Sequence, residues 1–99
     1  MDSQGQVVEW DSTAEDLFGY RSGEAVGRRL GDLIVPPEIR PFHEAGLARY
    51  VATREGHSVN RVFELEALHQ AGHTVSIALM VRPKEVDGQL FFEAQIRSR

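Results

Sequence analysis

Cysteine is absent from all 99 residues of the sequence. Its absence excludes disulfides, thiolate zinc sites, thiol catalysis and any cofactor attached through cysteine. Long apolar runs are absent as well, since none approaches the roughly 20 residues of a membrane-spanning helix. The first residues also lack the basic and then apolar layout of a signal peptide. We therefore expect a cytoplasmic domain that makes no membrane contact.

An excess of basic residues is also missing. The formal net charge is −4, and the Lys and Arg residues form no cluster. Proteins that bind DNA or RNA through phosphate contacts usually carry a basic patch or stripe. We therefore expect no nucleic acid among the partners of this chain.

The residues that are present compose one small globular domain. Hydrophobic residues make up 41% of the chain and charged residues 26%, which are ordinary values for a soluble protein that buries a core. A length of 99 residues suffices for one such core, but not for a large one. No repeat, linker or low-complexity segment interrupts the chain, so we predict a single domain over residues 1–99.

The first half of the sequence predicts one short strand followed by helices. Residues 6–10 read as the strand, and residues 11–20 read as a helix that either Asp11 or Ser12 can cap and that Gly19 can end. The next segment is broken by glycines and predicts single turns at most. Pro41 suits a first helical position, so we predict a longer helix from there to about residue 54.

The second half changes to the two-residue period of β-strands. Apolar and polar residues alternate through 60–70, 73–83 and 89–97. The dipeptide at 87–88, Asp-Gly, is a strong signal for a tight hairpin turn between the last two strands. Helices followed by a three-stranded meander define an α+β domain, in which one face of the sheet lies against the helices.

The longer helix places a histidine within an apolar stripe. At about 100° per residue, the stripe covers about half of the helix surface, and His43 and Tyr50 share its centre. An imidazole in such surroundings either packs, with one nitrogen bonded to the backbone, or binds a ligand, and both interpretations stay open. In order around the helix, the stripe consists of Phe42, Gly46, Tyr50, His43, Leu47 and Val51.

Several motifs of this sequence resemble those of the PAS domain family in order and spacing. The matching residues of the first half are Trp10, Ala14, Leu17, Phe18, Gly19, Tyr20, Val26, Gly27, Leu33, Ile34, Pro36 and Pro37. Those of the second half are Arg61, Glu64, Leu65, Leu68 and Gly72, and residues 87–97 resemble the last strand of the family. The resemblance covers nearly the whole chain and is to the sensory-box type found in bacterial signalling proteins.

The resemblance implies a curved antiparallel sheet with short helices and one longer helix packed on one face. The family has five strands, and the first is truncated here because Met1 stands where that strand should end. We therefore expect the chain to be a fragment of a larger multidomain signalling protein, or to obtain the strand from a partner. A missing strand leaves an unpaired edge on the sheet.

PAS domains are generally not enzymes, so the resemblance implies a non-catalytic sensory and dimerisation domain. It would belong to a two-component sensor histidine kinase, a cyclic-dinucleotide enzyme or a transcription regulator, bind a small ligand or a partner, and pass the signal to an output domain. The expected assembly is a homodimer or a complex with a partner domain of the same protein. The alternative is a pure interaction module without a ligand. The candidate pocket residues are Ile39, His43, Leu47, Tyr50, Phe63, Leu65, Ile77, Leu79 and Phe92.

Each cofactor found in the family requires particular residues for its attachment or ligation. Flavin-adduct and hydroxycinnamate photosensors need a cysteine, so the absence of cysteine excludes both. Heme sensors of the family use a histidine on the long helix as axial ligand, and residues 40–50 resemble their heme-bearing segment. This resemblance makes His43 the candidate ligand in an alternative interpretation as a heme-based gas or redox sensor. The first interpretation assigns no cofactor and gives His43 a packing or general ligand-binding role.

The remaining polar residues predict no catalytic or metal site. His69 and His73 flank a turn, but two imidazoles without a third ligand make a weak metal site. His57 lies in a predicted loop, where we expect it to be solvated. Glu64 and Glu66 lie on a predicted polar strand face, and no nucleophile motif accompanies them.

Overall fold

A computed structural model describes residues 1–56 and 59–99 of the chain. The helical elements are α1 (Ser12–Phe18), α2 (Ser22–Ala25), α3 (Leu30–Ile34), the 3-10 turn Pro37–Ile39, and α4 (Arg40–Thr53). The strands are β1 (Val62–Leu68), β2 (Thr74–Val86) and β3 (Gln89–Ser98). Helices followed by an antiparallel meander confirm the predicted α+β class. The expectation for His57 concerns a residue outside the described ranges.

The first helix is capped by Asp11, one of its two predicted candidates, and it ends at Gly19 as predicted. The side chain of Asp11 accepts a hydrogen bond of 2.9 Å from the Ala14 N–H, which supplies a partner to one of the free N–H groups of the first turn. Gly19 ends the helix at φ 84°, a left-handed conformation that costs glycine little. The segment that follows contains α2 and α3, which are four and five residues long, as the glycine-broken sequence predicted.

The strands form one sheet in the order β1-β2-β3, and both neighbouring pairs are antiparallel. Leu65 lies opposite Ile77, and Leu79 lies opposite Ile96, so the apolar positions of all three strands share one face, which we call the inner face. The predicted turn at 87–88 is confirmed. Both of its residues have positive φ, 51° and 79°, as a two-residue turn between right-twisted strands requires.

The hairpin of β2 and β3 extends beyond β1 as a two-stranded ribbon. The pairing of β1 with β2 ends at Val62 and Met80, whereas β2 continues to Val86. Pro83 lies in this extension, three residues before its end. Proline is compatible with that position because β2 has an open edge there among the described strands, so a residue without an N–H breaks no ladder bond.

The strand predicted over residues 6–10 is wrong. Val7 instead pairs with the segment after α2, since its N–H donates to the Arg28 carbonyl and its own carbonyl accepts from the Gly27 N–H, both at 2.8 Å. Its side chain is buried in the core. Alternating apolar residues indicate a half-buried extended segment, but a strand also needs a neighbouring strand, and none of the described strands lies beside this one.

The edge of β3 that faces away from β2 contacts the first residues of the chain. Met1 and Phe92 exchange backbone hydrogen bonds of 2.7 and 2.8 Å, and Asp2 and Phe91 form the adjoining bridge. Among the described residues, no strand lies along the rest of this edge.

The core lies between the inner face and the first helices. Phe18, Leu33 and Ile77 are its largest fully buried side chains, and burying one side chain of this size stabilises the fold by about 1.5–3 kcal/mol. Trp10 covers this core, with its ring centroid 5.7 Å from that of Phe18, and its Nε1 donates to the Tyr20 carbonyl at 3.0 Å. The other buried members are Val7, Ala25, Ile34 and Ala67.

One arginine joins the core helices to α4. Arg40, the first residue of α4, donates from Nε to the carbonyls of Gly31 and Val35, both at 2.9 Å, and from Nη2 to that of Asp32 at 3.3 Å. These carbonyls belong to the end of α3, where helical carbonyls lack partners within the helix. The position of α4 is therefore tied to the C-terminal end of α3.

Candidate functional site

α4 is the longer helix predicted by the sequence, but it packs less deeply than its apolar stripe suggested. None of its fourteen residues is fully buried. Phe42 and Val51, at the two rims of the stripe, are 77% and 36% exposed, whereas Tyr50 and Leu47 near the centre are half-buried. Only the middle of the stripe therefore contacts the rest of the domain.

The C-terminal part of α4 contacts the inner face of the sheet. The rings of Tyr50 and Phe92 meet edge to face, with centroids 5.5 Å apart. Ile77 and Phe92 are buried, while Leu65 and Leu79 are partly buried against the core. These five residues of the predicted pocket thus lie on the inner face or against it, packed on protein side chains.

The other apolar pocket candidates lie apart from this contact. Leu47 packs against the N-terminal turn, where a Cβ added to Gly5 would lie 3.1 Å from its Cδ2. Ile39 ends the 3-10 turn and is exposed. Phe63 is half-buried, and the guanidinium of Arg61 lies 5.5 Å from its ring centroid.

His43 contacts α3 and not the sheet. Its Nδ1 is buried and has no hydrogen-bond partner among the described residues, and a Cβ added to Gly31 would lie 3.3 Å from it. The nearest carboxylate oxygen is Oε1 of Glu44, at 3.8 Å, which exceeds hydrogen-bond length. Glu44 pairs with Arg29 through its other oxygen. The imidazole therefore sits in a polar seam between α3 and α4.

An open cleft of about 530 Å³ lies beside the Tyr50–Phe92 contact, and sequence reasoning missed it. Its walls come from the N-terminal turn, the end of α4 and the turn between β2 and β3. Of its apolar residues, Val51 directly follows Tyr50, and Leu90 precedes Phe92 by two positions on the same strand face. Its lining residues are Asp2, Ser3, Gln4, Val8, Val51, Arg54, Gly88, Gln89, Leu90 and Phe91.

A second, shallower cleft of about 270 Å³ lies on the sheet. It is lined by Val62, Ala78, Leu79, Met80, Gln95, Ile96 and Arg97. Val62, at the start of β1, is 63% exposed, which is high for a β-branched side chain on a strand. Most of its lining side chains are apolar, and Arg97 adds a positive charge.

Neither of the two clefts offers a heme site at His43. His43 lines neither of them, and its Nδ1 faces Gly31 of α3 and the Glu44 carboxylate. We therefore derive no chemistry through a heme.

The other histidines form no metal centre in the described residues, where no group of three or more His, Asp and Glu side chains is arranged for an ion. His69 and His73 do come together, as stacked rings with centroids 4.3 Å apart. The Nδ1 of His69 already accepts a hydrogen bond of 3.0 Å from the Ala71 N–H, so this lone pair is not available to a metal. Over residues 1–56 and 59–99, no helix has the length and hydropathy needed to cross a bilayer.

Comparison with known proteins assigns the family. The sequence profile of the PAS fold matches residues 1–92, and the chain belongs to the PAS family. Among solved structures, the PAS domain of a protein from Colwellia psychrerythraea superposes with a TM-score of 0.78 at 23% identity, covering 99% of this chain and 80% of that one. The fold is therefore that of a PAS domain.

Two relatives by sequence are bacterial. An uncharacterised protein of Azorhizobium caulinodans is 32% identical over 96 residues, which cover 97% of this chain and 13% of that protein. The sensor protein FixL of Bradyrhizobium diazoefficiens is 24% identical over 97 residues, which cover 98% of this chain and 19% of FixL. This chain thus spans less than a fifth of either relative, and the similarity concerns the PAS domain alone.

A further structure shows a PAS domain of similar fold with a ligand. The PAS domain of the quorum-sensing receptor RpfR of Cronobacter turicensis, in complex with BDSF, superposes with a TM-score of 0.64 at 16% identity, covering 95% of this chain and 85% of that one. A sensor protein is thus among the sequence relatives of this chain, and a receptor domain is among its structural neighbours.

Proposed function

We propose that this PAS domain is the sensory module of a longer cytoplasmic signal-transduction protein, and that a small ligand held in the open cleft at the end of α4 changes the position of α4. The similarity to the sensor protein FixL and to the receptor domain of RpfR supports a sensory role. The domain itself performs no catalysis in this proposal, and a linked output domain carries the activity.

The observation that carries the proposal is the shallow packing of α4. A helix of fourteen residues without a fully buried side chain has little apolar contact to lose when it moves. Its main apolar contact with the sheet is the Tyr50–Phe92 pair, and the open cleft lies directly beside that pair. A ligand that binds better to one position of α4 shifts the population toward that position.

An apolar molecule with a polar end is the ligand class to test first. The cleft combines apolar side chains, including Leu90 and Phe91, with polar groups, including Gln89 and Arg54. The RpfR domain has also been solved in complex with C12:0, at a TM-score of 0.66 and 14% identity, which supplies the probe. Dodecanoate (C12:0) therefore serves as the first ligand in the test.

The experiment is a titration of the labelled domain with dodecanoate, followed through its backbone amide resonances and by calorimetry. We expect the largest shifts at Tyr50, Val51 and Leu90, and we expect Tyr50→Ala to weaken binding by about tenfold, the effect of losing one aromatic contact. Phe42→Ala is the matched control, since it removes an aromatic ring from the same helix at an exposed site. Saturable binding that Tyr50→Ala leaves unchanged would contradict this site.

The interaction module without a ligand is the second candidate, and the exposure of Phe42 and Val62 favours it. A partner that covered either of these side chains would remove apolar surface from water. A homodimer is the assembly to test, by sedimentation over a wide range of protein concentration. A monomer at every concentration, together with binding of dodecanoate, would decide in favour of the ligand sensor.

A further inference from the structure

The turn between β1 and β2 carries a pair of stacked imidazoles that the sensory role does not use. His69 and His73 lie opposite each other at the mouth of the hairpin, where the His69 N–H donates to the His73 carbonyl at 2.8 Å. Their rings stack at 4.3 Å with an angle of 20° between the planes. We call these two residues the histidine pair.

The histidine pair holds the turn against the end of α1. The His69 ring covers the backbone of Gly19 so closely that a Cβ added there would lie 2.5 Å from its Cε1. Beside it, the Gln70 N–H donates to the Phe18 carbonyl at 2.9 Å. The stacked rings and this backbone bond therefore lie at one joint between the sheet and α1.

The hydrogen bond at His69 requires an unprotonated nitrogen. Its Nδ1 accepts from the Ala71 N–H at 3.0 Å, so the neutral ring carries its proton on Nε2. Protonation of Nδ1 would convert this acceptor into a donor that faces another donor. A proton on each ring would also place two like charges about 4 Å apart, which disfavours the doubly charged stack by about fivefold even in water.

The charged side chain that α2 places near the joint, Glu24, keeps its charge over the pH range in which histidines take up protons. From α2, the Glu24 carboxylate reaches the turn by accepting a bond of 3.3 Å from the Gln70 side chain. A hydrogen bond from the Arg21 backbone, and then the one from Gln70, lower the pKa of Glu24. Glu24 therefore stays charged where histidines titrate. From α1, the contacts on the ring come from the backbone of Gly19, and from the hairpin itself they come from His73.

We propose that the histidine pair is a proton-sensitive joint, which holds the β1–β2 turn on the end of α1 when the rings are neutral and releases it when both are charged. A charge on one ring opposes a charge on the other, because the ring centroids are 4.3 Å apart. Release would remove the Gln70 bond to Phe18, one of the links between the sheet and the first helix. This regulation is independent of any ligand at α4.

The test is amide hydrogen exchange of Gln70 in the full chain, corrected for the intrinsic rate, from about pH 7.5 to about pH 5. We expect its protection to fall about five- to tenfold across this range, while the amide of Ile77 in the core stays protected. His69→Asn keeps an acceptor for the Ala71 N–H but cannot be charged, and His73→Asn removes the second charge. Both variants should therefore show a flat profile.

His43→Asn is the control, because it removes a histidine that lies on α4 and away from the joint. It should keep the pH profile of the wild type. A flat profile in the wild type would overturn the proposal, and so would an unchanged fall of Gln70 protection in folded His69→Asn and His73→Asn. Protection of Ile77 shows in each variant that the domain is folded.

Discussion

The first three helices and α4 differ in how much of their surface is buried in the core. The first three helices bury Phe18, Ala25 and Leu33 completely against the inner face of the sheet, although two of these helices have only four and five residues. α4 is longer than all of them and buries none fully. Its contacts include one aromatic pair, the bonds of Arg40, a polar seam and the packing of Leu47 on the N-terminal turn.

The contrast shows that helix length is a poor guide to the stability of a helix in this fold. Helices gain most of their stability in proteins from burial of an apolar face, and α4 presents a stripe of which only the centre is covered. We call α1, α2, α3 and the inner face of the sheet the frame, since they enclose the core. α4 has less buried apolar surface to lose than the frame has.

The largest effect should come from a substitution in the frame. The same change, phenylalanine to alanine, can be made in the frame and on α4. Phe18→Ala removes a fully buried ring and should lower the free energy of unfolding by about 3–5 kcal/mol, since it leaves a cavity in the core. Phe42→Ala, on α4, should change it by less than about 0.5 kcal/mol because the ring is already exposed. Urea unfolding measures both. Similar losses in the two variants would remove the distinction between frame and α4.

The next largest effect should come from Arg40, which joins α4 to the end of α3. Arg40→Ala should lower the free energy of unfolding by about 1–3 kcal/mol, because three carbonyls around the end of α3 lose a charged donor. Urea unfolding gives the loss, and amide exchange should show faster opening of α4 than of α1. Arg49→Ala, an exposed arginine of the same helix, is the control and should have little effect. Equal loosening of α1 and α4 would mean that Arg40 supports the frame instead.

A smaller effect should come from the cap of the first helix. Asp11→Ala removes the acceptor for the Ala14 N–H and should lower the free energy of unfolding by about 1 kcal/mol. Asp11→Asn keeps an acceptor at the same position and should retain most of the stability, which thermal or urea unfolding can resolve. A full loss in Asp11→Asn would show that charge, and not the hydrogen bond, matters at this position.

The smallest effect should come from an exposed carboxylate of the frame. Hydrogen bonds from the Arg21 backbone and then from Gln70 lower the pKa of Glu24 below its usual value of 4.5. The stabilisation is therefore complete above the unfolded-state pKa and is lost as pH falls through the lower folded-state value. Glu24→Gln should reduce the loss of stability below about pH 4.5, measured by urea unfolding at several pH values. Identical profiles in the two proteins would show that these bonds contribute nothing.

Local sequence signals predicted the elements that depend on local chemistry. The two-residue period located the meander, and the Asp87-Gly88 dipeptide located its turn, because side-chain alternation and positive φ are properties of short segments. Asp11 and Gly19 likewise marked the ends of α1. The strand at 6–10 failed for the opposite reason, since a strand exists only beside another strand.

The site was less predictable because it depends on contacts between elements. The helical period placed Tyr50 and His43 on one face of α4, and both do lie on its covered side. It could not show that Tyr50 meets Phe92 of β3 whereas His43 meets Gly31 of α3. The cleft had no local signal at all, because its walls come from three distant segments.

The position of the ribbon formed by β2 and β3 affects the width of the cleft. Beyond Met80 the ribbon is no longer paired with β1, and residues at its tip, Gly88 and Phe91, form one wall of the cleft. On the facing wall, Arg54 at the end of α4 lies 3.8 Å from Glu85 of the ribbon. The ribbon also carries Leu90 and Phe92, which are buried, and Phe92 exchanges backbone hydrogen bonds with Met1. A change in the width of the cleft therefore requires that these contacts or the Arg54–Glu85 ion pair be altered, so the cleft is braced from both of its walls.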